Sequence, residues 1–363
     1  MKRTTFNKEI NKFKIAVTSD CCLRCVHCFI DKSENMRIPF EKAKKSLDFF
    51  IGSPGEKKIL EIYGGEPMLA FDLSAKIIEE ARKIAAKRKK QLSVSIASNG
   101  LLVEKRHLKY IAANDIRFSV SFSGSSATQD FTRKLPGGQG SYNLLMPKIS
   151  LILSELGERA HVIFCVHPQQ ATRMHEDFRE LLRIGFRNIG LECVHGFRWR
   201  REDYENFSAN LEEIVRDVFQ MVENNEFILF EPFLEFFRER EYPNAFCPFL
   251  RDLELYPDGT FAFYPYAFVA NMEERRKVSI GSAESGIIDR FNACLPRRDS
   301  RRCQKCAAEY YVLPALKEGS IAYSRRTEIA KNAVARILHL SHTHERFRSY
   351  LKYLAKLFAE GYT

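Results

Sequence analysis

The first 225 residues alternate between short apolar runs and longer amphipathic segments, and this alternation constrains the fold more than any other feature. The apolar runs are rich in β-branched residues, as strands are, and the amphipathic segments have helical periodicity. Units of about 30 residues in this order favour parallel strands joined by right-handed helical crossovers. The six predicted strands are FKIAVT (13–18), KILEIYG (58–64), SVSIASNG (93–100), IRFSVSFSG (116–124), HVIFCVHP (161–168) and NIGLECVH (188–195). We therefore predict an α/β fold with a partial (β/α)6 TIM-like barrel over residues 10–225.

The alternation ends after a long predicted helix over residues 203–225. The stretch DLELYPDGTFAFYPY has alternating apolar residues around Pro-Asp-Gly (257–259), which predicts a β-hairpin. We predict a small separate domain over 226–320 and a helical tail over 321–363. Basic residues line that tail among apolar residues at helical spacing: Arg325, Arg326, Lys331, Arg336, Arg346, Arg348, Lys352 and Lys356. The favoured interpretation is a docking helix with a solvated basic face; the alternative is a surface for an acidic peptide, a nucleic acid or another partner.

Composition excludes several classes of protein. Of 363 residues, 45% are apolar and 28% are charged, which is a globular balance and not that of a disordered chain. The longest apolar runs fall well short of the roughly 20 residues that a membrane span needs. The N-terminus lacks the apolar segment of a secretory signal, so we expect a cytoplasmic protein without a membrane partner. In that setting, ten cysteines indicate metal or redox chemistry and not disulfides.

Four of the cysteines lie within eight residues after the first predicted strand: Cys21, Cys22, Cys25 and Cys28. A zinc site needs four ligands, and His27 could be the fourth, but His27 and Cys28 are adjacent and cannot easily face one tetrahedral ion. Three thiolates on a [4Fe–4S] cluster leave one iron open, which suits a reactive centre. A zinc site centred on Cys22 remains open as an alternative.

The segment TSDCCLRCVHCF resembles the signature loop of the radical SAM superfamily, C-x3-C-x-aromatic-C, with His27 at the aromatic position. Three further segments resemble that family's motifs in the same order: YGGEP (63–67), SNG (98–100) and SVSFSG (119–124), the last followed by Arg133. The resemblance covers residues 10–225 and implies a [4Fe–4S] cluster held by Cys21, Cys25 and Cys28. It also implies a binding site for S-adenosylmethionine (SAM) formed by His27, Gly64, Gly65, Glu66, Ser98, Asn99, Ser121, Ser123 and Arg133.

The resemblance assigns roles to these residues. Glu66 would supply charge for the methionyl ammonium of SAM, and Gly64 and Gly65 would let backbone carbonyls approach it. The SNG segment would contact the ribose and carboxylate, and Arg133 would pair with the carboxylate. Many peptide-modifying relatives have Asp where Ser123 stands, so the subfamily stays open.

A second group of cysteines resembles the SPASM/twitch extension of such enzymes, which binds auxiliary iron–sulfur clusters. At the position where a full SPASM domain has a cysteine after Gly259, this sequence has Tyr264. We predict one auxiliary cluster, with Cys294 or a non-thiolate residue such as Tyr264 as the possible fourth ligand. A zinc knuckle, or loss of the metal, is the alternative. The auxiliary ligand candidates are Cys247, Cys294, Cys303 and Cys306.

The remaining cysteines, Cys165 and Cys193, lie in predicted strands and are interpreted as packing residues. The resemblance implies reductive cleavage of SAM and hydrogen abstraction from a peptide or protein, with flavodoxin or ferredoxin as electron donor. The absence of a leader-binding domain before the loop at residue 21 counts against a leader-peptide type. Oxidation or epimerisation of a small molecule such as a sugar or aminocyclitol is the first alternative. A zinc-stabilised RNA-binding protein is the more distant one, and we expect no nucleic-acid partner.

Overall fold

The computed structural model describes residues 9–28, 30, 32, 35–194, 197–234, 252–263, 279–287, 326 and 328–360. The four auxiliary-site cysteines and Tyr264 lie outside the described residues. The chain divides into two compact units. Unit 1 comprises residues 1–24, 28–119 and 247–311, and unit 2 comprises residues 25–27, 120–246 and 312–363.

Among the described residues, the eight predicted strands are present in order, together with three strands of two residues each that were not predicted. They are β1 (Lys12–Ala16), β2 (Lys57–Tyr63), β3 (Gln91–Ser98), β4 (Arg117–Ser121), β5 (His161–Val166), β6 (Asn188–Cys193), β7 (Leu229–Phe230), β8 (Asp252–Leu255), β9 (Thr260–Phe263), β10 (Gly281–Ser282) and β11 (Gly286–Ile287).

At least one helix follows each of the six strands predicted for the barrel, as the alternation in the sequence indicates. They are α1 (Phe40–Gly52), α2 (Phe71–Lys87), α3 (Lys105–Ala113), α4 (Ser126–Thr132), α5 (Tyr142–Leu156), α6 (Met174–Ile184), α7 (Arg201–Glu223) and α8 (Glu345–Glu360). The residues 328–338 are also helical, in agreement with the predicted helical tail. None of the described helices is long and apolar enough to cross a membrane.

In unit 1, β2 is hydrogen-bonded to β1 on one side and to β3 on the other, and all three strands are parallel. Alternate residues of β1 and β2 form an apolar face, where Phe13 and Ile15 are fully buried. The ring of Phe13 stacks on Phe50 of α1 with centroids 5.0 Å apart. The predicted α/β fold with parallel strands is confirmed, and the carboxyl ends of β1, β2 and β3 lie at one edge.

The hairpin predicted around Pro-Asp-Gly is also confirmed. Strands β8 and β9 are antiparallel, and the turn contains Gly259 at a φ of +90°. One feature was not predicted: β8 pairs with β1 in parallel, with Lys14 opposite Glu254. The hairpin therefore extends the parallel strands of unit 1 through β8.

In unit 2, β6 lies between β5 and β7, and the three strands are parallel. Helix α6 ends at Gly185, whose φ of +120° is accessible to glycine and closes the helix. The helix predicted over residues 203–225 is α7, displaced by two residues at each end.

Candidate active site

The cysteine loop begins at the carboxyl end of β1, where hydrogen bonds fix its first residues. The hydroxyl of Thr18 donates to the carbonyl of Met36 at 2.9 Å and accepts from the amide of Asp20 at 3.1 Å. The amide of Met36 donates to the hydroxyl of Ser19 at 2.8 Å. The Asp20 carboxylate accepts from the amide of Cys21 at 2.8 Å, so the first cysteine starts from a fixed backbone.

Gly64 and Gly65 follow β2 and pack against that loop. The amide of Gly65 donates to the carbonyl of Thr18 at 2.7 Å. A Cβ on Gly64 would lie 2.4 Å from the Thr18 carbonyl, and one on Gly65 would lie 2.1 Å from the Asp20 carbonyl. Gly64 also has a φ of +135°. The structure thus leaves no room for a side chain at either position, because the loop backbone lies beside both glycines.

Glu66 is fully buried and joins the ends of β2 and β3. Its Oε1 accepts from the amide of Met68 at 3.0 Å and from the hydroxyl of Ser98 at 2.7 Å, and its Oε2 accepts from the amide of Asn99 at 2.8 Å. Burial raises the pKa of Glu66, and the hydrogen bonds counter part of that effect. Three donors occupy most of the acceptor capacity of one carboxylate, so Glu66 acts here as a clamp.

That clamp holds Asn99 against the cysteine loop. The Nδ2 atom of Asn99 lies 3.6 Å from Sγ of Cys21 and 3.3 Å from Sγ of Cys22. The turn is closed by the amide of Leu101, which donates to the Asn99 side chain at 3.0 Å. Residues 77 positions apart in sequence thus meet at the carboxyl ends of β1 and β3.

Cys22, which is not among the three predicted cluster ligands, belongs to this arrangement. The hydrogen bond between the two cysteine side chains, together with burial, raises the pKa of Cys21. The same hydrogen bond lowers the pKa of Cys22, and the Asn99 amide contributes in the same direction. No sequence signal beyond adjacency to Cys21 pointed to this contact.

Cys28 has two different surroundings in unit 1. It packs against a buried apolar cluster that includes Ala16, Ile30 and Tyr63. Its Sγ also accepts from Nζ of Lys32 at 2.7 Å. Sequence reasoning missed Lys32, although its position four residues after a candidate ligand was visible.

Cys25 and His27 belong to unit 2 and are half-buried. The loop here is held by the amide of Val26, which donates to the carbonyl of Thr132 at 2.9 Å. Over the described part of the chain, no three His, Cys, Asp or Glu side chains are arranged as a metal-binding group. Ligation by Cys21, Cys25 and Cys28 therefore stays a prediction.

Unit 2 buries Arg133, with 5% of it exposed, so it is not a solvated surface arginine. Its Nε donates to the hydroxyl of Ser123 at 3.4 Å, and its Nη2 donates to Sγ of Cys165 at 3.3 Å. Ser123 is itself buried, and its amide donates to the side chain of Gln129 at 3.0 Å. Burial raises the pKa of Cys165 to about 12, which agrees with a neutral thiol beside the guanidinium. Cys165 therefore contacts a candidate site residue as well as packing in its strand.

Comparison with known proteins gives a family match for part of the chain. Residues 15–182 match the family model of the Radical SAM superfamily. An uncharacterized protein of Methanocaldococcus jannaschii is 23% identical over 199 residues, which are 55% of this chain and 67% of that protein. A probable GTP 3',8-cyclase of Methanococcus vannielii is 32% identical over 124 residues, 32% of this chain and 38% of the cyclase. The chain thus spans little more than a third of the length of that cyclase.

Among solved structures, the chain is similar to anSMEcpe with bound AdoMet and the Cp18Cys peptide. The TM-score is 0.65 at 16% sequence identity, and the similarity covers 88% of this chain and 99% of that one. At this identity the similarity establishes the fold.

Proposed function

We propose that this chain, whose residues 15–182 match the Radical SAM superfamily, is an enzyme that reductively cleaves SAM and abstracts a hydrogen atom from a peptide or protein. The observation that carries the proposal is the meeting of three motifs at the carboxyl ends of β1, β2 and β3. There Glu66 holds Asn99, and Asn99 contacts Cys21. This edge is where parallel α/β folds place their sites.

The donor chemistry of the loop matches the group that the family implies, although the described side chains are not arranged as a metal-binding group. Three thiolates are the donor set of a [4Fe–4S] cluster with one open iron, and we assign Cys21, Cys25 and Cys28 to it. Two of the sulfurs already have N–H donors beside them, Asn99 at Cys21 and Lys32 at Cys28. Such donors to ligand sulfurs are common around metal centres. When bound, this cluster supplies the open iron for SAM and the electron that cleaves it.

The chain's own residues then position SAM. Arg133 provides a buried guanidinium, a group that binds carboxylates well, and we assign it the SAM carboxylate. Glu66 keeps one acceptor position on Oε2, and we assign that position to the methionyl ammonium. We propose His27, Gly64, Gly65, Ser98, Asn99, Ser121 and Ser123 as further contacts.

A peptide or protein substrate is favoured by the fold. The similarity to anSMEcpe extends over nearly the whole of a protein whose structure contains a peptide. The second candidate is a small molecule, and a different observation favours it: the GTP 3',8-cyclase match has the higher identity, 32%. We infer an auxiliary cluster held by Cys247, Cys303 and Cys306, with Cys294 as possible fourth ligand, and the same cysteines could serve either reaction.

Metal analysis tests the proposal. After anaerobic reconstitution, about eight irons per chain would support two [4Fe–4S] clusters, and about four would support only the loop cluster. The C21A/C25A/C28A variant should lose about four irons, while C193A, a half-buried cysteine without an assigned role, should keep them. Stoichiometric zinc without iron would contradict the proposal.

Incubation with candidate substrates separates the two substrate classes. Mass spectrometry of peptides encoded by neighbouring genes should show a change of one or two hydrogen masses, or a new crosslink. If modification is seen with nucleotides or sugars and with no peptide, the small-molecule reaction replaces the peptide one.

A further inference from the structure

The ammonium of Lys32 lies in direct contact with the sulfur of Cys28. Its Nζ is 2.7 Å from Sγ of Cys28 and 3.4 Å from the carbonyl oxygen of Ile30. The first distance places the ammonium in direct contact with the sulfur, as a donor to it. The second shows that the Ile30 backbone also holds the ammonium in place.

The surroundings of Cys28 increase the electrostatic effect of that contact. Cys28 packs against Ala16, Ile30 and Tyr63, with Ala97 on the same cluster. Ile30 and Tyr63 are each only 8% exposed, so little water screens a charge on this side of the sulfur. A positive charge held beside a sulfur in an apolar environment acts more strongly than one in water.

The charge and hydrogen bonds at ligand sulfurs help to set the potential of an iron–sulfur cluster. Reduction adds one negative charge, and a neighbouring ammonium stabilises the reduced form more than the oxidised form. We propose that Lys32 is a positioning residue that donates to the ligand sulfur of Cys28 and raises the reduction potential of the loop cluster. This inference rests on the proposed function, since it requires that Cys28 binds the cluster.

The test is a redox titration of the reconstituted protein, followed by electron paramagnetic resonance, for the wild type and for Lys32→Met. The methionine side chain keeps much of the length and the apolar stem of lysine. It lacks both the positive charge and the N–H donors. We expect the midpoint potential to move to a more negative value, so that the ratio of reduced to oxidised cluster at a fixed potential falls about tenfold, as for loss of one charge-assisted hydrogen bond. Lys32→Arg keeps the charge, so its midpoint potential should lie between those of the wild type and Lys32→Met.

Lys87→Met is the matched control, because Lys87 is exposed in the last turn of α2 and its loss changes the net charge equally. Its midpoint potential should equal that of the wild type. A wild-type potential in Lys32→Met, with the iron content intact, would overturn the inference and leave the proposed function standing. If Lys32→Met loses iron, Lys32→Gln is measured in its place, and its midpoint potential must also be more negative than that of the wild type. Failure of the wild type to bind iron would instead overturn the proposed function.

Discussion

Among the described residues of unit 1, two glutamates are fully buried, and their surroundings differ. Glu66 accepts three hydrogen bonds from Met68, Ser98 and Asn99. Glu254 accepts one from the hydroxyl of Tyr256 at 3.2 Å, and its Oε1 has no hydrogen-bond partner among the described residues. A buried carboxylate with three donors is a fixed structural element, whereas one with few donors retains a proton more readily.

Glu254 lies beside several charged or polar side chains of unit 1. Lys14 lies opposite it on β1, and Nζ of Lys14 also pairs with Glu61 at 3.4 Å. Burial raises the pKa of Glu254 to about 7, while Lys14 and the hydroxyls of Tyr256 and Tyr63 act in the opposite direction. Burial raises the pKa of Glu66 as well, and there three hydrogen bonds counter part of that effect.

The largest expected effect comes from Glu254→Gln. This substitution removes the titratable carboxyl group and keeps the size and shape of the side chain. Because its folded-state pKa of about 7 lies above the ordinary value of 4.5, the folded state holds a proton that the unfolded state has lost. The stability that Glu254 contributes is complete below about pH 4.5 and is lost as the pH rises to about 7. Relative to the variant, the wild-type free energy of unfolding should fall by about 3 kcal/mol over this interval, an upper estimate. Urea unfolding of both proteins from pH 4.5 to 8 measures this difference. If the two free energies of unfolding changed in parallel with pH, Glu254 would not differ from Glu66 in the way described.

The same substitution at the clamp, Glu66→Gln, should act in the opposite sense. The amide nitrogen must replace one oxygen that accepts hydrogen bonds, so a donor then faces another donor in a buried site. We expect the free energy of unfolding to fall by about 2 kcal/mol, and iron retention to weaken because Asn99 is no longer held. Urea unfolding at pH 6 and 8, with iron analysis, checks this. Stability equal to the wild type would mean that the three hydrogen bonds do not act as a clamp.

The smallest effect is expected from Lys14→Met. Removing this cation eliminates an interaction that lowers the pKa of Glu254, so that pKa should rise further. The pH interval over which stability is lost should move upward by about half a unit. The same unfolding series measures the shift. A downward shift would show that Lys14 does not act on Glu254.

The sequence predicted the fold well because strand and helix periodicity is local. It also selected Glu66, Ser98 and Asn99, but not what holds them together. The Asn99–Cys22 contact depends on the meeting of β1 and β3 at one edge, which no local pattern encodes. The parallel pairing of β8 with β1 depends on register in the same way. The sequence identified the Gly64-Gly65 pair as a motif but not why both residues are glycine. The structure gives the reason, because the Thr18 and Asp20 carbonyls lie where a side chain would be.

The central claim is that the cysteine loop cleaves SAM, and the most direct measurement is 5′-deoxyadenosine formed from SAM under dithionite. The reconstituted wild type should form it, and so should C193A. The C21A/C25A/C28A variant should form none above the protein-free background. Equal product from the triple variant and the wild type would contradict the assignment of the loop.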